Sequence, residues 1–141
     1  ELLSEHGISS EVWSVTSYGE LRREGLEHER SRRLNPEISE EPYVSRCFGD
    51  ETPTVATSDY ICSVPEMIQR WIGGRYIVLG TDGFGRSDTR EALRSFFEID
   101  TNSIVVAAIS ALEQEGTLPS GTVEKELEKR NLNKERIDKT E

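Results

Sequence analysis

The chain has 141 residues, about one domain's length, and its 34% hydrophobic and 31% charged composition suits a globular fold around a single core. Its 17 Lys and Arg against 27 Asp and Glu leave a formal net charge of -10, which repels a phosphate backbone and argues against nucleic-acid binding. No uninterrupted apolar run reaches the length of a bilayer span, and no secretory leader pattern opens the chain, so no membrane role is expected and the cytoplasm is the expected compartment.

Residues 1–7 read as the last turns of a helix ending at Gly7, a residue suited to the left-handed cap. Glu11-Val12-Trp13-Ser14-Val15-Thr16 then reads as a strand, the second half of a βαβ unit, and there is no initiator Met. The expectation is that a first strand lies upstream and that the chain is a piece of a longer protein. Ser17-Tyr18-Gly19-Glu20 is a capping box and predicts a helix through Leu21 and Leu26 to Leu34. Its arginines alternate with glutamates at helical spacing, which predicts a solvated, salt-bridged face rather than a polyanion site.

Residues 35–53, with Pro36, Pro42 and Pro53, are expected to be an irregular connection to a short strand at Thr54-Val55-Ala56-Thr57. A second capping box, Ser63-Val64-Pro65-Glu66, predicts a helix with Val64, Met67, Ile68, Trp71 and Ile72 inward, ended by Gly73-Gly74. The continuous apolar run Tyr76-Ile77-Val78-Leu79 predicts a strand buried on both faces and adjacent to Val55 in a parallel sheet. Asp88 is expected to cap a helix carrying Ala92, Leu93, Phe96 and Phe97 inward. Asp100 or Thr101 caps the next, where Val105, Ala108, Ile109 and Leu112 share a face and Gly116 is the stop. A last helix with Val123 and Leu127 runs from near Pro119 to about Asn131. Alternation of strands and helices predicts an α/β domain, three-layered, with a mostly parallel sheet.

Candidate chemistry is sparse. Cys47 and Cys62 stand apart without a CxxC pattern and read as buried free thiols; His6 and His28 read as isolated surface residues. No catalytic, cofactor-binding or metal-binding residue is expected in the chain. Gly80-Thr81-Asp82-Gly83-Phe84-Gly85-Arg86-Ser87 matches the phosphate loop GxxxxGK[ST] except that Arg86 replaces the lysine, with Asp82 and Asp88 placing negative charge nearby. Nucleotide binding by this loop, or a role as an interaction module of another α/β family, are the alternatives. The favoured reading is a structural turn presenting Gly83, Phe84, Gly85, Arg86 and Asp88 at a subunit or domain interface.

Three segments carry a resemblance: Val12-Trp13-Ser14-Val15-Thr16-Ser17, Thr57-Ser58-Asp59-Tyr60, and the run from Val78 through the Gly80 loop to Glu91. Together they resemble the C-terminal domain of homodimeric pyruvate dehydrogenase E1, a transketolase C-terminal-like domain, over roughly Ile8 to Ile137. The resemblance implies a parent enzyme that uses thiamine diphosphate and magnesium to decarboxylate pyruvate. That enzyme passes the two-carbon unit to the lipoyl group of the E2 dihydrolipoyl acetyltransferase. It further implies that the cofactor ligands belong to preceding domains, leaving this one an architectural part in a homodimer, with possible contacts to E2.

Overall fold

The computed structural model describes residues 3–132. Helix α1 (Tyr18–Leu34) begins where expected, with the Ser17 hydroxyl accepting from the Glu20 amide at 3.2 Å. The box is half made, because the Glu20 carboxylate turns forward to Arg23 at 2.8 Å. Arg23 also reaches Glu27, while Glu29 pairs with Arg70 and Arg32 with Glu41, so Arg23 and Arg32 are taken up by surface ion pairs.

The proline-rich connection is not wholly irregular. It contains helix α2 (Tyr43–Phe48), which follows Pro42. Three tertiary interactions hold this helix: the Glu24 carboxylate of α1 accepts from the Tyr43 amide at 3.1 and 3.2 Å, the Ser45 hydroxyl donates to the Trp71 carbonyl at 3.1 Å, and the Val44 side chain is fully buried. Val44 joins Ile68 and Trp71 in the core, bordered by Leu21, Leu26, Phe48 and Tyr76.

Strands β1 (Thr54–Thr57) and β2 (Tyr76–Leu79) pair in parallel, with Thr54 opposite Tyr76 and Thr57 opposite Leu79. Parallel pairing requires a crossover. That crossover contains α3 (Ser63–Glu66), one turn long, and a 3-10 turn at Gln69–Trp71. The expected capping box there does not form: Ser63 lies inside the turn, and the preceding Cys62 amide donates to Asp82 Oδ1 at 2.8 Å. With the helix broken, Met67 is left exposed while Ile68 and Trp71 remain buried. The β2 residues are half-buried rather than enclosed on both faces, and Val55 is likewise half-buried. Burial raises the Tyr76 phenol above its ordinary pKa, helped by Tyr18 beside it, and its hydroxyl donates to the Pro65 carbonyl at 3.0 Å.

Residues 11–16 are not a strand. The segment carries no regular structure, Val12 is exposed, and the Trp13 ring packs edge-on against Phe48 at 5.2 Å. A strand exists only through its hydrogen-bonded neighbour. Among the described residues, β1 and β2 pair with each other and this segment pairs with neither. The α/β class stands; the described sheet has two strands.

Helix α4 (Arg90–Phe96) is capped by the Thr89 hydroxyl on the Ala92 amide, one residue later than expected; the Asp88 carboxylate accepts from the Thr89 amide at 2.7 Å. Ala92 is exposed, Leu93 and Phe96 are half-buried, and Phe97 is buried. Helix α5 (Thr101–Gln114) starts at Asp100, whose carboxylate accepts from the Ser103 amide at 2.8 Å, and it packs along both strands with Val105 and Ile109 buried. The stretch Arg90–Gln114 is long enough for a membrane span and holds an 18-residue window whose mean hydropathy, 1.3, would suit one. It is nevertheless divided between Phe96 and Thr101, where Glu98 takes a left-handed φ of 57°.

Helix α6 (Thr122–Lys129) lies against α5, and Asn131 follows with a φ of 51°, the left-handed conformation expected of it. Glu113 of α5 caps α6 across the gap, its carboxylate accepting from the Gly121 and Val123 amides at 2.9 and 2.7 Å. Those amide bonds, Val123 first, hold the Glu113 pKa below its ordinary value. A depressed carboxylate pKa contributes stability above the unfolded value that is lost as pH falls through the folded value. Glu113→Gln should therefore melt well below wild type at neutral pH, with the gap closing as the pH drops below the ordinary carboxylate range. Melting curves across that range check this; a constant gap would contradict it.

At the other end, a 3-10 turn at Ser4–His6 closes on Gly7, whose φ is 71°. His6 is not isolated: its Nε2 lies 3.1 Å from the buried Glu126 carboxylate, whose other oxygen accepts from Arg130 Nε at 2.9 Å. His28 is also half-buried, as are both thiols, Cys47 and Cys62, rather than fully enclosed.

Candidate functional site

The loop after β2 begins as a built structure and ends as a projection. Its root is tied to the connection after β1. The Ser58 amide donates to the Leu79 carbonyl, the Thr81 amide to the Tyr60 carbonyl at 2.9 Å, and the Thr81 hydroxyl to the Asp59 carbonyl at 2.9 Å. Asp82 completes the seam through the Cys62 amide. Gly80 is required by close approach, because a Cβ there would meet the Tyr60 carbonyl at 2.7 Å and the Cys62 sulfur at 2.9 Å.

Beyond Asp82 the chain turns outward through Gly83, whose φ of 111° suits glycine. Gly85 has open space where a side chain would go. Phe84, between them, is 71% exposed, so the ring is not folded back onto its own domain. Arg86 does return: its guanidinium sits 4.2 Å over the Phe96 ring, which meets Phe97 edge-on at 5.0 Å. Asp88 is engaged at the entry to α4. The five residues singled out in sequence are thus brought to one rim, with Phe84 the projecting member.

Five residues that sequence reasoning did not place at this site join it. Arg90, Leu93, Arg94 and Ile99, with Phe97, line a concavity of about 430 Å³ beneath Phe84 and Arg86. A signal was present in the sequence: Arg90 and Arg94 are like charges four apart on a helix, an arrangement that costs a few tenths of a kcal/mol and calls for a reason.

These features define an α/β domain with a parallel βαβ crossover and an aromatic, arginine-bearing loop at the C-terminal ends of its strands. A family model described as the transketolase-like TK C-terminal domain matches residues 1–100, and the chain belongs to that family. It is 42% identical over 138 residues to the pyruvate dehydrogenase E1 component of Pseudomonas aeruginosa, covering 96% of this chain and 16% of that protein. The corresponding protein of Mycolicibacterium smegmatis is 44% identical over 119 residues, 83% of this chain and 13% of the relative. That of Escherichia coli K12 is 39% identical over 138 residues, 96% of this chain and 15% of the relative. The chain therefore spans roughly a sixth of the length of these curated relatives.

The described residues around this loop do not fit a magnesium diphosphate. Among the described residues no three His, Cys, Asp or Glu side chains converge as a metal site. Around the loop, Asp59 and Asp88 border the concavity, Asp82 is turned onto the Cys62 amide, and Arg86 lies on Phe96. Calorimetric titration of the chain with thiamine diphosphate and magnesium, or with ATP, should give no binding. A dissociation constant in the low micromolar range for either would contradict this.

Proposed function

We propose that this chain is the non-catalytic, architectural C-terminal domain of a pyruvate dehydrogenase E1 component. The observation that carries the reading is 42% identity, over 138 residues, to a protein so described. In that setting the parent enzyme is a cytoplasmic homodimeric oxidoreductase dependent on thiamine diphosphate and magnesium. It decarboxylates pyruvate and reductively acetylates the lipoyl group of its E2 partner. The cofactor supplies the electron sink for decarboxylation, and in this reading its ligands belong to the domains that precede this one. Residues 1–141 form one transketolase C-terminal-like unit in this proposal, with no part in nucleic-acid or membrane binding.

Within the enzyme, the loop 80–88 packs at a subunit or domain boundary. A ring 71% exposed, projecting from a loop whose root is fixed by four backbone and side-chain bonds, is a preformed anchor of the kind that supplies much of an interface's energy. In the full-length enzyme, Phe84→Ala should weaken dimerisation or domain docking by about 2 kcal/mol. The isolated domain's melting temperature should hold, since the ring contributes little to its core. Sedimentation of the full-length variant is the check. An unchanged dimer constant together with a destabilised isolated domain would overturn the interface role.

A further inference from the structure

The segment that enters the domain is held by side chains rather than by the sheet. The amides of His6, Gly7 and Ile8 bond to the carbonyls of Leu3 and Ser4, and among the described residues the backbone hydrogen bonds of residues 3–16 are all internal. Two contacts carry the segment onto α6: Glu5 accepts from Lys129 Nζ at 2.9 Å, and His6 Nε2 lies 3.1 Å from Glu126 Oε1. Glu126 is only 4% exposed, and a buried carboxylate has to be paired. Its other oxygen accepts from Arg130 Nε at 2.9 Å, while Arg130 Nη1 donates to Asn102 Oδ1 of α5 at 2.9 Å. One side of Glu126 is thus closed within the body of the domain, and the other is covered by the entering segment.

We infer that residues 3–8 and α6 form an ionic latch, Glu5 and Glu126 against His6, Lys129 and Arg130, that opens without unfolding the rest of the domain. Three observations make opening cheap. Glu126 keeps Arg130 when the segment leaves, and its uncovered oxygen meets water, so no unpaired buried charge is left behind. In the closed state His6 Nε2 and Arg130 Nη2 are buried with no aligned hydrogen bond among the described residues, a cost that water removes on opening. Residues 9–12 are exposed and without regular structure, which gives slack up to Trp13, where the ring on Phe48 re-anchors the chain. Lys129 is the hinge of the arrangement in charge terms, since it lies 2.9 Å from Glu5 and 4.0 Å from Glu126. In the enzyme proposed above these residues are the connection from the preceding domain, and the latch ties that connection to α6. This last role rests on that reading; the latch itself does not.

The test is amide hydrogen exchange, followed by mass spectrometry, on the 141-residue chain and on the full-length enzyme. Lys129→Glu sets like charge against Glu5 and Glu126, and His6→Ala removes the imidazole. Each should speed exchange of residues 3–8 roughly fivefold or more, with α1, β1 and β2 unchanged. Adding Glu5→Lys to Lys129→Glu restores opposite charges and should return the segment to near the wild-type rate. Unchanged exchange of residues 3–8 in both single variants overturns the latch. An acceleration shared by the strands also overturns it, because segment and domain would then open as one. A charge swap that restores nothing overturns its ionic character. Should Lys129→Glu disturb folding, His6→Ala is judged by the same two readings. A response in the 141-residue chain with none in the full-length enzyme leaves the latch standing and overturns its role at the connection.

Discussion

Trp71→Ala is expected to cost about 3–5 kcal/mol of folding stability, which is a large part of what a domain of this size possesses. Trp71 is 8% exposed and stands where three helical segments meet: α1 through Gly25, α2 through Val44 and the Ser45 hydroxyl, and the crossover through Ile68. Truncation leaves a cavity that none of these can collapse into without giving up its own anchoring. The site also dictates a residue on α1. A Cβ at Gly25 would lie 2.6 Å from two carbons of the indole, so Gly25→Ala, despite a helix-propensity gain of about 1 kcal/mol, should be destabilising on balance. Urea unfolding of the chain measures both. A loss below about 1 kcal/mol for Trp71→Ala would mean that the core is organised elsewhere.

Gly73→Ala is expected to destabilise by about 3 kcal/mol, at the upper end for an added methyl group. A Cβ there would collide with the carbonyls of Gly49 and Asp50, and at Gly74 with those of Thr52 and Glu51. These are backbone atoms of the segment joining α2 to β1, not flexible side-chain ends. The Gly73 amide is also bonded to the Phe48 carbonyl at 2.9 Å, so the two strands of backbone are held close and neither can withdraw. The expected result is a lower urea midpoint with the slope little changed. An unchanged midpoint would show that this crossing relaxes freely.

The sequence was most informative where a signal is local. Ser17, Asp100, Gly116 and Asn131 each stop or start a helix through their own side chain or backbone angle, and each is found in that role. The strands 54–57 and 76–79 were legible because branched and aromatic residues run between turn formers. Misreadings arose where a distant residue decides. Asp82 takes the amide of Cys62 and the crossover helix is cut to one turn; Glu24 supplies a cap to α2 inside a stretch that its prolines mark as irregular. Residues 11–16 have strand composition, but composition does not provide a neighbour. The rim of the site was legible as the loop itself. Its floor was not, because Leu93, Phe97 and Ile99 meet Phe84 only through the tertiary packing of α4 and the residues after it.

That this domain contributes assembly rather than chemistry can be tested by the specific activity of full-length Phe84→Ala in pyruvate oxidation, followed as a function of enzyme concentration. Activity should be low when the enzyme is diluted below its weakened dimer constant and should return to the wild-type value per dimer well above it. A fixed deficit in a variant that sedimentation shows to be fully dimeric would place the loop in the chemistry and contradict the architectural assignment.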